Sequence, residues 1–280
     1  MLAPLRKALV RQVRSTFNDR SRGERPIRRS ANALFPSDSV IWRVHGDVTS
    51  MMAGGIAALL LQMLHPQALA GVWDHSDVHH DMLGRLRRTA RFIAVTTYGE
   101  RGDAESAIAR VRRIHEQVSG RLPDGTAYRA DDPALLAWVH VAGALMFLDG
   151  WRRYGEPRMS GADQDRYFAQ AGEIARRLGA DPVPTTRRDA EQLVSAFRHE
   201  LRADGRTREF RDLVLDARAA SFAEWPVQKL LMGAAVDLLP GWARELHELH
   251  RLPASGPPIR AATFGLASTL RWAFAREAYR

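Results

Sequence analysis

The chain has 280 residues, 45% hydrophobic and 26% charged, with a net charge of +9 and no cysteine. Such a composition suits a soluble globular protein with a sizeable core. The missing thiols exclude disulfides, thiolate metal sites, iron–sulfur clusters and cysteine nucleophiles.

The charge is unevenly placed. Residues 1–30 hold nine basic and two acidic side chains, a net of +7, so the rest of the chain is nearly neutral. With Phe17 as its one aromatic, this segment reads as a solvated basic arm over residues 1–35 and not as a nucleic-acid reader. Leu2, Leu5, Leu9 and Val13 recur at helical spacing between the basic residues, a pattern compatible with peripheral contact to anionic lipid. No uninterrupted apolar run with a cleavage site follows, and Arg28-Arg29 precedes none, so no export signal is expected. The expected location is cytoplasmic or membrane-peripheral.

Residues 40–46 (VIWRVHG) form a short apolar piece. Residues 53–73 then carry no formal charge, a length that a membrane helix would need. Pro66 interrupts them, however, and Gln62, His65 and Gln67 cluster at the middle, which predicts two buried helices meeting near His65-Pro66. The pair Gly54-Gly55 predicts close approach to something flat or to another helix. A polar, histidine-rich stretch over 74–81 precedes a helix over 83–95, on which Arg85 and Thr89 share a face and Arg88 lies one position off.

In residues 107–120, Ile108, Val111, His115 and Val118 recur at spacings of three, four and three. They make one stripe of a helix, with Gly120 as its expected C-cap. A histidine thus occupies a position where leucine would pack better, either as a satisfied core residue or as a ligand. Asp132-Pro133 opens a helix, apolar nearly all round, that carries a second histidine, His140. Helices follow over 162–178 (stopped by Gly179), 186–202, 206–220, 225–239, 242–252 and 261–279. His247 and His250, among charged neighbours, are expected at the surface. No strand alternation and no fixed repeat is found, so the expected class is all-α, about ten helices in one domain over residues 36–280.

The sequence lacks a Gly-x-Ser-x-Gly elbow, a P-loop and a dinucleotide fingerprint. His75 and His79 stand four apart, as metal ligands on a helix do, but without the glutamate of a zincin. The remaining constellation is polar residues in apolar helices: His65, Arg85 with Arg88 and Thr89, His115 and His140. An apolar cavity with a buried imidazole and nearby cations suits haem; satisfied core polar groups are the other reading.

The run GG-x6-Q-x2-HP-x4-GV-x2-HS (residues 54–76), Arg85-x3-Thr89, IHEQVSG (114–120) and DGTAYRADDPALLAWVH (124–140) together resemble one family. It is the family of actinobacterial proteins grouped with the fungal MpaB oxygenase and the latex clearing protein, a rubber oxygenase. The resemblance covers roughly residues 40–240. It implies an all-helical, globin-like core holding haem b, and dioxygen-dependent oxidation of an apolar substrate. Against the rubber oxygenase pattern Arg-x-x-Lys-Thr, Arg85 and Thr89 match, while Arg88 stands in place of the lysine; His115 matches the proximal iron ligand. Arginine stays charged and cannot coordinate iron as lysine can. The family's upstream pocket glutamate has no counterpart, since no acid lies between Asp47 and Asp74; His65 and Gln62 stand in that stretch. Without the export signal of the secreted enzymes, polyisoprene is not expected as substrate.

The resulting expectation is a haem b-dependent oxygenase acting with dioxygen or peroxide on a small apolar molecule. His115 is the proximal ligand, and Arg85, Arg88, Thr89 and His65 are catalytic-side residues. Gly54, Gly55, Arg85 and His140 join His115 around the cofactor. An electron donor and a homo-oligomer are compatible with this reading. Two alternatives stand beside it: a non-catalytic haem- or lipid-binding protein, and a non-haem metal site at His75 and His79.

Overall fold

Two glycines set the spacing at the centre of the molecule. A Cβ on Gly54 would lie 2.7 Å from the Met146 carbonyl oxygen, and one on Gly150 would lie 2.7 Å from the Ser50 carbonyl oxygen. Any side chain there would force the two helices apart. Gly54 is therefore taken up by contact with another helix.

The computed structural model describes residues 6–7, 10–11, 26–217, 225–249 and 256–275. Among them are twelve helices and one two-stranded hairpin, an all-α fold. The first half comprises α1 (Val40–His45), α2 (Val48–Gln62), α3 (Pro66–His75), α4 (Met82–Tyr98) and α5 (Arg101–Glu116). Next come β1 (Ser119–Arg121), β2 (Ala127–Arg129) and α6 (Pro133–Tyr154). The rest is α7 (Gly161–Leu178), α8 (Arg187–Phe197), α9 (Gly205–Leu215), α10 (Trp225–Leu238), α11 (Gly241–Leu246) and α12 (Gly256–Phe274). α2 and α6 are the buried pair, and the other helices pack around them.

Helix starts follow capping chemistry. The side chains of Asp47, Asp132, Ser160 and Thr186 accept from backbone N–H groups of α2, α6, α7 and α8, and Gly179 ends α7 at a φ of 100°. α6 is long and apolar enough to cross a membrane, but 72% of that stretch is buried within the protein. α2 and α3 are bent by 105° at His65-Pro66, with proline at the first turn of α3. The break frees backbone acceptors. Trp138 Nε1 donates to the Gln62 carbonyl (3.0 Å), the Arg202 N–H to the Leu64 carbonyl (2.9 Å), and His247 Nε2 bonds the Leu60 carbonyl (2.9 Å).

Several expectations change. His247 is 1% exposed, because α11 is laid on α2 by that bond to Leu60; the surface placement is wrong. His250 lies outside the described residues. Gly120 is not a helix cap: α5 ends at Glu116, and Gly120 pairs with Tyr128 across the hairpin. A Cβ there would come within 2.6 Å of the Tyr128 hydroxyl. The hairpin turns at Gly125, whose φ is 87°.

The body begins earlier than residue 36. Ser30 N–H donates to the Tyr98 carbonyl (2.8 Å), Arg29 lies over the Tyr98 and Trp42 rings, and Ala33 and Phe35 are buried. Arg6 donates to the Ala273 carbonyl at 2.8 Å. The proposed apolar stripe of Leu2, Leu5, Leu9 and Val13 lies outside the described residues, as does Phe17.

Candidate functional site: an apolar space between histidine-bearing helices

α5 carries the stripe that its spacing predicts as far as His115, and Val118 lies just past its end. Ile108 is buried and Val111, His115 and Val118 are half-buried, while Arg110, Arg112 and Arg113 are exposed. α4 is buried at Met82 and again at Thr96 and Thr97; between them Leu86, Phe92, Ile93 and Ala94 keep accessible surface. Both helices thus carry apolar side chains that the core leaves partly accessible.

α3 joins these walls. A Cβ on Gly71 would lie 3.7 Å from Val118 Cγ1, two residues past the end of α5. Ser76, just past α3, donates to the Val72 carbonyl (2.6 Å) and accepts from Arg85 Nη1 (3.3 Å). The Gly-Val-x-x-His-Ser segment thus stands between the histidine helix and the arginine helix.

The His115 ring makes no hydrogen bond or ion pair among the described residues. Its Nδ1 is sealed from solvent without a partner. Burial lowers its pKa, with Asp131 opposing, so the ring is neutral at neutral pH. Arg85 is half-buried; burial, then Arg88, draws its pKa down to about 10, which leaves it a cation. It has no carboxylate partner among the described residues. Arg88 and Thr89 do not join it. Arg88 is exposed and pairs with Asp81 at 3.0 Å, and Thr89 is exposed with its hydroxyl donating to the Arg85 carbonyl.

On the inner side, His140, Gly143 and Phe147 follow one face of α6. A Cβ on Gly143 would meet nothing nearer than Gln62 Nε2 at 3.4 Å, and one on Gly55 nothing nearer than Phe147 Cε1 at 3.5 Å. The His140 ring forms no hydrogen bond among the described residues, and neither ring nitrogen is sealed off. Burial, then Arg176, lowers its pKa to about 4. An imidazole so poorly solvated, yet with accessible surface, faces internal space.

His45 of α1 was missed in the sequence, although a histidine inside the apolar run VIWRVHG is a usable signal. Its Nδ1 bonds Thr97 Oγ1 (2.9 Å), its Nε2 bonds the Tyr167 hydroxyl (3.1 Å), and Phe147 meets it edge-on at 5.7 Å. Burial, then His140, lowers its pKa to about 3.

His65 belongs elsewhere. It is 3% exposed, packs on Trp138 and Phe197, and bonds Glu200 through Nε2 at 3.3 Å. Trp138 and His140 are two residues apart, about 200° around α6, so His65 and His140 lie on different sides of that helix. His75 and His79 do not share a helix face, because α3 ends at His75. His75 bonds the Tyr128 hydroxyl (3.1 Å), while His79 meets the Trp73 ring edge-on and Glu209 at 3.7 Å. No group of three or more potential metal-ligating His, Asp or Glu residues occurs among the described residues.

A family model described as "ER-bound oxygenase mpaB/B'/Rubber oxygenase, catalytic domain" matches residues 42–272. The chain belongs to this family. The match runs from inside α1 to inside α12, so it takes in both walls and the buried α2–α6 pair. An oxygenase-type activity is what membership in the mpaB/rubber oxygenase family supports. No curated protein and no solved structure matches the chain.

Proposed function

We propose that this family member is a haem b-dependent oxygenase that uses dioxygen or peroxide to oxidise a small apolar molecule, with His115 as the proximal iron ligand. The observation that carries the reading is the His115 ring. It is neutral, unbonded among the described residues, and set in an apolar stripe that keeps accessible surface. A metal-ligating imidazole must be unprotonated and free of competing partners.

The residues present fit the cofactor. With no cysteine in the chain, a histidine would be the natural iron ligand, and Arg85 offers a half-buried cation without a carboxylate partner among the described residues, suited to a propionate. Haem iron, when bound, supplies the one-electron and dioxygen chemistry that no side chain can. His115 would hold it from α5. Ser76 fixes Arg85 through the 3.3 Å hydrogen bond. Leu86, Phe92, Val111 and Phe147 would keep water from the apolar substrate. Arg88 and Thr89 are turned outward and carry no role in this reading.

The visible spectrum of the purified protein, alongside His115→Ala, tests it. A Soret band in the native protein that is lost or displaced in the variant is expected. An unchanged band in the variant would overturn His115 as ligand, and a native protein that stays colourless after incubation with hemin would overturn the haem reading.

A further inference from the structure

We infer that His140 is a hydrogen-bonding contact for the substrate on the α6 face, selecting lipophilic substrates that carry an uncharged hydroxyl or carbonyl group. The inference rests on the reading above that the space receives an apolar substrate, and it narrows that substrate's chemistry.

Three observations bear on it. His140 is the polar member of the α6 face His140–Gly143–Phe147, whose other members are a missing side chain and an aromatic ring. Its two ring nitrogens lack protein partners among the described residues without being sealed off, so a donor and an acceptor are offered to whatever occupies the space. By contrast, the neighbouring His45 has both nitrogens engaged, by Thr97 and Tyr167. His45 therefore positions the wall, and His140 is left to meet the ligand.

The groups around His140 favour a neutral partner. His45 and His140 both stay unprotonated, and Tyr167, whose pKa burial raises, keeps its proton. The cation nearest in effect is Arg176, which is exposed and paired with Glu173 at 3.2 Å. Beside His140 itself a carboxylate would therefore find only a cation already shared with Glu173. A pure hydrocarbon would leave the imidazole unpaired after displacing its water, a loss of about tenfold in affinity. A hydroxyl both donates and accepts, and a carbonyl accepts from the imidazole N–H.

Titration calorimetry on the purified full chain with octan-1-ol, octan-2-one, octane and octanoate tests this. The alcohol and ketone should bind about tenfold more tightly than octane and than octanoate. His140→Leu should erase that preference while keeping octane binding, which also reports a folded variant; His140→Gln should retain it. Equal affinity for octane and octanol in the native chain, preferred binding of octanoate, or a preference unchanged in His140→Leu would each overturn the inference. The readout needs no iron, so it succeeds or fails independently of the spectrum that tests His115.

Discussion

Gly54 and Met146 meet with no side chain between them: a Cβ on the glycine would stand 2.7 Å from the Met146 carbonyl oxygen. The obstacle is backbone of a buried helix and cannot step aside. Gly54→Ala should therefore destabilise the fold by about 1–3 kcal/mol despite alanine's better helix propensity. Gly55→Ala meets only Phe147 at 3.5 Å and should be neutral or slightly stabilising. Thermal melts of the two variants should move in opposite directions or differ by several degrees.

Asp47 does two jobs from a side chain 3% exposed. One oxygen caps α2 through the Ser50 N–H and the other accepts from Arg271 Nη1, both at 2.8 Å. Asp47→Asn keeps the cap but leaves Arg271 without its charge partner, and should cost about 1–2 kcal/mol. Asp47→Ala removes both and should cost about 1 kcal/mol more. Urea denaturation of the pair measures the difference, and equal midpoints would contradict the double role.

Acid should destabilise this protein earlier than carboxylate titration alone requires. His45 and His140 are held neutral, at about 3 and about 4, whereas unfolded histidines titrate near 6.5. Below that value the unfolded chain binds more protons, so stability is fully present above about pH 6.5 and is lost as pH falls toward 4. The limiting slope is about 1.4 kcal/mol per pH unit for each ring. Urea midpoints at pH 7.5, 6 and 5 should fall progressively, and His140→Gln should flatten the trend. A midpoint constant from pH 7.5 to 5 would show that the rings are not enclosed.

Tyr128 ties the hairpin to the end of α3, donating to Asp74 at 2.9 Å and bonding His75 at 3.1 Å; Asp74 also pairs with Arg206. Tyr128→Phe should cost about 1–2 kcal/mol and speed amide exchange in the hairpin more than in α6. Uniform loss of protection throughout the chain would argue against a local tie.

Much of this architecture was legible in the sequence, wherever short-range chemistry decides it. The caps at Asp132, Thr186 and Gly179 and the break at Pro66 depend on a few neighbouring residues. So does the stripe ending in His115. The errors arise where distant packing decides. His247 sits among charged residues, yet its ring is buried because α11 lies on Leu60, far away in the chain. Arg85, Arg88 and Thr89 sit within five positions, but helix side chains lean toward the N-terminus. The long Arg85 reaches back to Ser76, Arg88 reaches back to Asp81, and the short Thr89 bonds its own helix. The opening to solvent on α4 has no periodic signature. His45 escaped because α1 is six residues long, too short for periodicity to register.

The corner at His65-Pro66 also dictates when the molecule can complete itself during synthesis. The carbonyls of Leu60, Gln62 and Leu64 lie together at the broken end of α2, and their partners are His247, Trp138 and Arg202. Each partner is translated later than all three acceptors, and His247 follows its own acceptor Leu60 by 187 positions. A nascent chain emerging to residue 200 has made only one of the three pairings, and its most apolar segment is left with raw polar ends. Late closure of this kind ties the first and last thirds of the chain into one cooperative unit.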